Sequence, residues 1–313
     1  LTVTLDVEDV VTAGIAAGEE TEDIRDGWSV NFDALLATVG PVRLALATDA
    51  TQTATARETY VVDLTRLEVS DAELWSFDSL SAAAWEFNYA TPDTDNAQRH
   101  SSAREADFEE LVQADGTYLI DLTLSKEDGV SCPPPNLATT TAESTGTGRG
   151  GFACYANSSP RMRIAVPAAT EYGPCEVDGI PGVRVVEGGT SQAAITLHVD
   201  HLFFNGFPEG DEGGVTRLAQ WLADCDLDVN GEITRAELEA IAPSDLAELD
   251  ERYALAVPFE DLRPVESMWT YIRAQLKTQG HFEGEGECPA DNVAHDHHDE
   301  DHEGEDHEGE DHE

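Results

Sequence analysis

In the stretch Met162-Arg-Ile-Ala-Val166, large apolar side chains alternate with smaller or polar ones, which is the pattern of a β-strand with one buried face. Gly, Asp, Pro and Thr separate the segments that share this pattern. The sequence therefore predicts that residues 1–205 form an antiparallel β-sandwich with one solvated face. The other alternating segments are Trp28–Phe32, Tyr60–Leu64, Trp85–Tyr89, Tyr118–Leu122 and Ala194–Val199.

The spacing of apolar residues becomes helical after Phe207, so residues 206–288 are predicted to be a helical segment that packs on the β part or beside it. A shorter helix is expected at 102–112, with Phe108 and Leu111 inward. Residues 132–160, rich in Pro, Thr and Gly, are predicted to be a loop insertion with little structure of its own. The apolar faces after Phe207 comprise Val215, Leu218, Trp221 and Leu222, then Leu238 and Ile241, then Leu246 and Leu249, and finally Met268, Trp269, Ile272 and Leu276, which follow Pro264.

The chain is strongly anionic, with 64 acidic residues against 17 Lys plus Arg among its 313 residues and a formal net charge of −47. This charge excludes nucleic acids and anionic membranes as partners, because both would be repelled. No apolar run is long enough for a transmembrane helix. Two explanations of the charge stay open: adaptation to a salty habitat, or a protein built around divalent cations that screen the repulsion.

The chain opens at Leu1 directly into the strand-like Leu1–Val7, with neither Met nor a signal sequence, so we expect a leader to have been removed. Five cysteines without Cys-x-x-Cys spacing favour an oxidising, extracytoplasmic location, whether periplasmic, secreted or at the cell surface. Cys132 and Cys154 bracket the insertion and could staple it. Cys175 and Cys288 are then candidates for a long-range pair, which would leave Cys225 free, although the sequence alone leaves the connectivity open.

Residues 226–237 match the twelve-residue EF-hand calcium loop. Gly231 at position 6 permits the sharp turn, and Ile233 occupies the aliphatic position 8. Helical patterns flank the loop, the first over Val215–Asp224. A hard cation needs six or seven oxygens, so the loop predicts one Ca²⁺ site. Its oxygens come from the side chains of Asp226, Asp228 and Asn230, the backbone of Glu232, Thr234 directly or through water, and the bidentate Glu237.

EF-hands usually occur in pairs joined through position 8, and no second loop of this kind is found in the sequence. A lone hand attached to a β domain is more often a structural clamp than a switch. In a calcium-rich exterior such a site would stay filled and would stabilise the fold. The sequence therefore predicts a structural calcium ion.

Six of the ten histidines lie in the last 19 residues, three of them in the repeat Glu-Asp-His-Glu-Gly at 300–304 and 305–309 and in its shortened copy at 310–313. Residues 289–313 carry twelve acidic residues and no basic one, and are predicted to be disordered. Imidazoles among carboxylates bind Zn²⁺, Cu²⁺ and similar ions without fixed geometry, so we expect weak metal capture; the alternative is a tail that merely keeps the protein soluble. These histidines are His295, His297, His298, His302, His307 and His312.

The folded part offers a second group of ligands, His198, His201 and His281, which together with Asp200, Glu283 or Cys288 could hold Zn²⁺ or Cu²⁺. On a regular strand His198 and Asp200 share one face while His201 points to the other. A bulge or a strand end at 199–201 would be needed to bring His198 and His201 together. The alternative is a satisfied strand residue at His198 and a surface residue at His201.

The alternating β region, His198-Val-Asp200-His201 before Leu202-Phe-Phe204, the single calcium loop and Gly280-His-Phe-Glu-Gly-Glu-Gly-Glu-Cys288 resemble, in this order, predicted secreted or lipid-anchored bacterial proteins of unassigned function. The resemblance implies an exported protein and no particular activity. The strand pattern of the β region alone is similar to that of periplasmic copper-binding proteins of the methanobactin-associated type, from which no ligand residue is transferred. The insertion and the tail have no assigned place in either pattern.

The usual catalytic motifs are missing: there is no Gly-x-Ser-x-Gly, His-Glu-x-x-His, Walker loop or dinucleotide glycine pattern. We therefore predict a metal-binding protein rather than an enzyme, with one structural Ca²⁺ and with Zn²⁺ or Cu²⁺ captured or delivered by histidines. Metal ions are the expected partners; a membrane or cell-surface protein that receives the metal, and self-association, stay open. The alternatives are a calcium-stabilised structural or adhesive surface protein and, third, a metal-dependent hydrolase.

Overall fold

The computed structural model describes residues 1–206, 215–246 and 265–290, and its secondary structure is mainly β. The described strands are β1 Thr2–Asp6, β2 Ser29–Val39, β3 Val42–Leu46, β4 Asp49–Ala56, β5 Tyr60–Asp63, β6 Glu73–Ser76, β7 Ala84–Thr91, β8 Gln98–Arg99, β9 Tyr118–Ser125, β10 Val130–Ser131, β11 Gly146–Thr147, β12 Ala153–Ala156, β13 Arg161–Val166, β14 Thr170–Val177, β15 Ile180–Pro181, β16 Val183–Arg184, β17 Gln192–Leu197, β18 Glu232–Ile233, β19 Gly280–Phe282 and β20 Gly286–Glu287. The α-helices are α1 Asp9–Ala13, α2 Glu105–Gln113, α3 Gln220–Ala223, α4 Arg235–Ala240 and α5 Met268–Gln275. Short 3-10 helices span Leu64–Arg66, Val69–Asp71, Arg149–Gly151, Val199–Phe203 and Pro243–Asp245. No helix in the described ranges has both the length and the apolar character needed to cross a bilayer.

Two large sheets and one small sheet organise the described chain. The 11-stranded sheet runs β4-β3-β7-β14-β20-β19-β17-β1-β6, with β15 beside β14 and β16 beside β7. The 6-stranded sheet runs β18-β13-β9-β2-β5-β8. Most pairings are antiparallel as predicted, whereas β1 with β17, β13 with β18, and β5 with β8 are parallel. Both large sheets contribute to one hydrophobic cluster, for example through Leu122 and Phe87. The fold is therefore held by a core that the two sheets share.

Strands from the predicted helical segment join both large sheets. β18 pairs with β13 at one edge of the 6-stranded sheet, and β19 and β20 lie between β17 and β14 in the 11-stranded sheet. The sequence pattern did not show these strands because each is only two or three residues long. The sequence pattern changes from strand-like to helical near Phe207, but residues on both sides of this position contribute strands to the same two large sheets.

The helix predicted over Val215–Asp224 is much shorter, because α3 begins only at Gln220. Arg217 forms an antiparallel bridge with Phe204, which holds the preceding backbone extended. The Asp26 carboxylate accepts hydrogen bonds from the backbone N–H groups of Ala219 and Gln220, at 2.9 and 2.8 Å. These are the first donors of the helix, so a side chain from a distant segment determines where it starts.

The helices predicted at 102–112 and around Met268 agree more closely with the structure. α2 lies within three residues of the predicted start, with Leu111 buried and Phe108 packed against the same small cluster, as expected. α5 buries Met268, Trp269 and Ile272, and Leu276 is buried just after it, which confirms the predicted face. Leu246 follows a 3-10 turn, and Leu249 and Pro264 lie outside the described residues.

Both disulfides that the cysteine positions suggested are present. Cys132 is bonded to Cys154 and Cys175 to Cys288, and Cys225 is free and buried. Burial raises the pKa of the Cys225 thiol well above its ordinary value. The insertion at 132–160 has more structure than expected, since β10, β11 and β12 form a three-stranded sheet around the first disulfide. Two disulfides agree with folding in an oxidising compartment.

An ion-pair network fastens α2 to the 6-stranded sheet. Asp121 is buried on β9 and accepts from Arg161 Nε at 2.7 Å and from Arg163 Nη1 at 2.6 Å. Arg163 Nη2 also reaches Asp107 of α2 at 2.8 Å. Burial raises the pKa of Asp121, but the hydrogen bonds and charges of the two arginines outweigh it, so the net pKa is lowered from 3.8. The ionised carboxylate is the form that the fold stabilises.

We predict that Arg163→Met destabilises the protein by about 2 kcal/mol at pH 7, because it removes the arginine that pairs with the buried Asp107 and leaves Asp121 with Arg161 as its one arginine partner among the described residues. The pKa of Asp121 is lowered in the folded state, so its contribution is present above the ordinary value of 3.8 and is lost as the pH falls through the folded value. The difference from wild type should therefore shrink in acid. The free energy of unfolding of both proteins, measured with denaturant at pH 7 and at a pH below 3.8, gives this difference. The exposed Arg43→Met is the charge-matched control, and an equal effect of both variants would contradict the prediction.

Candidate metal sites

The first candidate site lies where β17 ends. β17 stops at Leu197, and the chain turns at once into the 3-10 helix Val199–Phe203. The tight turn removes the alternation of an extended strand, so His198 and His201 come to the same place. β19 lies beside β17, with His281 opposite Thr196, and brings the third imidazole. The strand end that the sequence argument required is therefore observed.

The three imidazoles form one cluster. Ring centroids are 4.0 Å apart for His198 and His281, 5.4 Å for His201 and His281, and 5.7 Å for His198 and His201. One nitrogen of each ring lies within 4.8 Å of one nitrogen of the other two. His198 and His201 are buried, and His281 is half-buried. The three donors can meet one metal ion after small side-chain movements, because tetrahedral zinc with bonds of about 2.05 Å separates its ligands by roughly 3.3 Å.

Hydrogen bonds indicate which nitrogen of two rings carries the proton. His198 Nε2 lies 3.1 Å from the carbonyl oxygen of Gly284, which can only accept, so Nε2 is the donor. His201 Nδ1 lies 2.9 Å from the hydroxyl of Thr278, and that hydroxyl itself donates to the carbonyl oxygen of Gln275. In the neutral rings the lone pairs therefore lie on Nδ1 of His198 and Nε2 of His201. Carbonyl and hydroxyl partners of this kind fix the tautomer of metal-binding histidines.

Two carboxylates adjoin the histidine cluster. Glu8 Oε1 lies 3.6 Å from His198 Nδ1, and one carboxylate oxygen each of Glu8 and Asp200 lies with His198 in a second group within 4.8 Å. Asp200 is buried and is paired with the buried Arg217, whose Nε donates at 2.6 Å. Asp200 is therefore close to the site, as predicted, but a fixed cation already neutralises its charge.

Glu8 is the residue of this site that the sequence analysis missed. It follows β1, and β1 runs parallel to β17 with Asp6 opposite Thr196. Glu8 and His198 each lie two residues beyond this pair, so they follow the carboxyl ends of β1 and β17, which are side by side. The sequence near Glu8 is acidic but shows no ligand spacing, and only the pairing of strands from distant parts of the chain reveals it.

The second candidate site is the loop 226–237. Gly231 has a φ of +89°, which allows the chain to turn between Asp226 and Glu237. Asp226, Asp228 and Glu237 each bring a carboxylate oxygen within 4.8 Å of the others. Burial raises the pKa of Asp226. Three carboxylates this close repel one another, and a divalent cation among them would remove the repulsion.

Backbone N–H groups and side chains hold the loop carboxylates in place. Asp226 accepts from the N–H groups of Asn230 and Gly231 at 3.1 and 2.8 Å. Glu237 Oε1 accepts from Leu227 N at 2.9 Å, and Oε2 from the N–H and hydroxyl of Thr234 at 2.8 and 2.7 Å. The side-chain oxygen of Asn230 accepts from the N–H of Glu232 at 2.7 Å. The predicted ligands therefore lie close together in one loop. Several of their oxygens accept hydrogen bonds from protein N–H and O–H groups.

The loop pairs with the β part rather than with a second loop of its own kind. Glu232 and Ile233 form β18, opposite Arg161 and Met162 of β13, and Ile233 is buried. The flanking helices are short, four residues in α3 and six in α4. The 6-stranded sheet therefore takes the place that a paired loop would occupy, which fits a lone structural site.

The disulfide-bonded insertion also contacts this loop, through a residue that the sequence analysis missed. The Asn157 side-chain amide donates to Asp226 Oδ2 and to the Ser131 hydroxyl, both at 2.8 Å. The N–H of Thr139 donates to the carbonyl of Leu227 at 2.9 Å. Asn157 is 69 positions from Asp226 in the chain, and no spacing rule connects the two. The insertion thus orients the first carboxylate of the loop.

We predict that Asn157→Ala lowers the Ca²⁺ affinity of the loop about tenfold, because a partner that orients a ligand typically contributes at least this much. Calcium titration by calorimetry measures the change. Asn136→Ala, an exposed amide elsewhere in the insertion, is the matched control. An affinity equal to that of the control would show that Asn157 does not position Asp226.

The predicted tail ligands His295, His297, His298, His302, His307 and His312 lie outside the described residues. Of the tail 289–313 that was predicted to be disordered, residues 291–313 also lie outside them, whereas Pro289 accepts a hydrogen bond from the N–H of Gly173 and Ala290 bridges Tyr172. The structure thus brings together the calcium-loop ligands in one place and His198, His201 and His281 in another. Comparisons with protein-family models, with curated proteins and with solved structures find no match. The chemistry of these two clusters therefore carries the functional argument.

Proposed function

We propose that this protein binds divalent metal ions outside the cytoplasm: a transition metal at His198, His201 and His281, and a structural Ca²⁺ in the loop 226–237. The observation that carries the proposal is the convergence of three imidazoles whose nitrogens lie within 4.8 Å of one another. Two of these rings are buried, and a solvating or merely structural role would not require three histidines to meet. The role is binding, storage or delivery rather than catalysis.

The donor chemistry supports a borderline metal ion at the histidine cluster. Imidazole suits Zn²⁺ and Cu²⁺, and the hydrogen bonds of His198 and His201 to Gly284 and Thr278 already select one nitrogen of each ring. The surrounding negative charge of the protein attracts cations over a distance. The tail would add weak capture by its six histidines, and a protein that receives the metal is an additional proposal.

Calcium would act as a clamp between segments. The loop contacts β13 through β18 and the insertion through Asn157, so an ion bound there would tie three parts of the chain together. We propose in addition that the two large sheets face each other as a sandwich and that 226–237 is an EF-hand, in line with the shared core and with the loop geometry. The two disulfides support an extracytoplasmic location, periplasmic, secreted or cell-surface.

We predict that Glu237→Gln weakens Ca²⁺ binding at least tenfold, because it removes the charge of the residue proposed to close the coordination shell. In wild type, calcium at 100 times its Kd should add about 2.7 kcal/mol to the stability. The measurement is the rise of Tm on adding calcium, which should largely disappear in the variant. Glu239→Gln, two residues further on α4 and exposed, is the control. A full calcium-dependent rise in Glu237→Gln would contradict the proposed clamp.

We predict that the double variant His198→Ala, His281→Ala loses one tight equivalent of Zn²⁺. The comparison uses the full chain with its six tail histidines replaced by Gln, so that the tail does not contribute. Competition titration against a zinc chelator gives the stoichiometry and affinity. His100→Ala, which removes a half-buried imidazole that hydrogen-bonds Ser102, is the control.

If the tail-substituted chain binds calcium and no transition metal, the histidine cluster is not a metal site. The protein would then be a calcium-stabilised structural or adhesive module. The pairing of β18 with β13, which joins the loop to the 6-stranded sheet, favours this second candidate function. If the double variant keeps the full zinc stoichiometry, the metal lies elsewhere and the proposal is likewise wrong.

A further inference from the structure

We propose that Glu8 and Asp200 form an oxygen-donor side of the histidine site, so that the site takes a divalent cation of the zinc class and discriminates against Cu⁺. This inference rests on the proposed metal binding by His198, His201 and His281 and specifies its ligand. Four features of the site support it: the strand topology, a distance, a tautomer and a buried carboxylate oxygen.

The topology makes Glu8 a fixed part of the site. β1 and β17 pair over five positions, from Thr2 opposite Gln192 to Asp6 opposite Thr196. Both strands run in the same direction, so their carboxyl ends meet at one edge of the sheet. Glu8 and His198 are the residues directly before α1 and before the 3-10 helix. Their side chains therefore lie side by side where the two strands end.

The distance between Glu8 and His198 fits two ligands of one ion better than a hydrogen bond. Glu8 Oε1 and His198 Nδ1 are 3.6 Å apart, which exceeds the 2.7–3.2 Å range of an N–H···O bond. Ligands of tetrahedral zinc are separated by roughly 3.3 Å. Since His198 Nε2 donates to Gly284, the Nδ1 that faces Glu8 carries the lone pair in the neutral ring. In the protonated ring the two groups form an ion pair, and a metal ion between them would take the place of that proton.

Asp200 provides a second oxygen on the same side. Its Oδ2 is bonded to Arg217, whereas its buried Oδ1 has no hydrogen-bond partner among the described residues. Asp200 is 3% exposed, so this oxygen is also withdrawn from bulk water. An unsatisfied buried carboxylate oxygen is costly and is commonly explained by an ion. A carboxylate oxygen of Asp200 lies within 4.8 Å of the ligand atoms of Glu8 and His198.

The combination of donors determines which metal the site prefers. Three imidazoles and two carboxylates form a set of nitrogen and oxygen ligands that suits Zn²⁺ and related divalent ions. Cu⁺ prefers soft sulfur ligands and gains little from carboxylate oxygen. Arg217 neutralises Asp200, so the net charge of the carboxylates and Arg217 is that of Glu8 alone. A divalent cation at this site would therefore lie beside the carboxylate of Glu8 and would complement its charge.

The test compares Zn²⁺ and Cu⁺ binding to the tail-substituted full chain and to its Glu8→Gln variant, by competition with a chelator for each ion. We expect the Zn²⁺ affinity to fall about 10–100-fold and the Cu⁺ affinity to stay within about twofold. Asp9→Asn removes the neighbouring exposed charge and is the electrostatic control. The Glu8 side chain makes no capping hydrogen bond to α1, so the glutamine should be accommodated in the fold.

Equal losses for both ions in Glu8→Gln, or a Zn²⁺ loss no larger than in Asp9→Asn, would overturn the inference and leave the histidine site intact. If the parent chain binds neither ion, the proposed function itself fails. Co²⁺ provides a second measurement, because its visible absorption bands should change in Glu8→Gln if a carboxylate oxygen is lost from the ion, and unchanged bands would also overturn it. If Glu8→Gln does not fold, Glu8→Asp replaces it in the test. Its shorter side chain withdraws the carboxylate, so the Zn²⁺ affinity should fall more than the Cu⁺ affinity, and equal losses would overturn the inference.

Discussion

The parallel pairing of β1 with β17 is the interaction on which the histidine site depends. It places Thr2 opposite Gln192 and so joins the first strand of the chain to the strand that carries His198. β19 then extends the same sheet on the other side of β17 and brings His281. Three segments that are remote in sequence thus meet at one place, where β1 and β17 end and β19 begins. The pairing of β1 with β17 fixes Glu8 relative to His198, and the pairing of β19 with β17 fixes His281 relative to both.

The few basic residues are used where carboxylates are buried. Arg161 and Arg163 neutralise Asp121 between α2 and the 6-stranded sheet, and Arg217 neutralises Asp200 beside the histidines. Within the described residues, the loop carboxylates Asp226, Asp228 and Glu237 have N–H groups, hydroxyls and side-chain amides as hydrogen-bond partners, and no arginine or lysine. Backbone dipoles stabilise these charges less than a full positive charge would. A divalent cation is the complement that we propose for that loop.

The two candidate sites differ in how they are built. The loop 226–237 takes its carboxylates from twelve consecutive residues, and the rest of the fold adds the strand partner β13 and the amide of Asn157. The histidine site has no local motif and depends on strand order. The proposed preference of the loop for a hard ion and of the histidine site for a borderline ion rests on this difference, because the loop offers oxygen alone whereas the histidine site combines imidazole with carboxylate.

The sequence by itself determined the features that depend on neighbouring residues. The alternation around Met162 and Tyr118 gave mainly β structure, the spacing from Asp226 to Glu237 gave the acidic loop, and the cysteine positions suggested both disulfides. It did not determine the short strands β18, β19 and β20, because two or three residues carry too little periodicity. Nor did it indicate Glu8, Asn157 or Asp26 as partners of distant groups. Such contacts depend on register and on which strands pair, and these are decided by the packing of the whole chain around a shared core, which only the tertiary structure reveals.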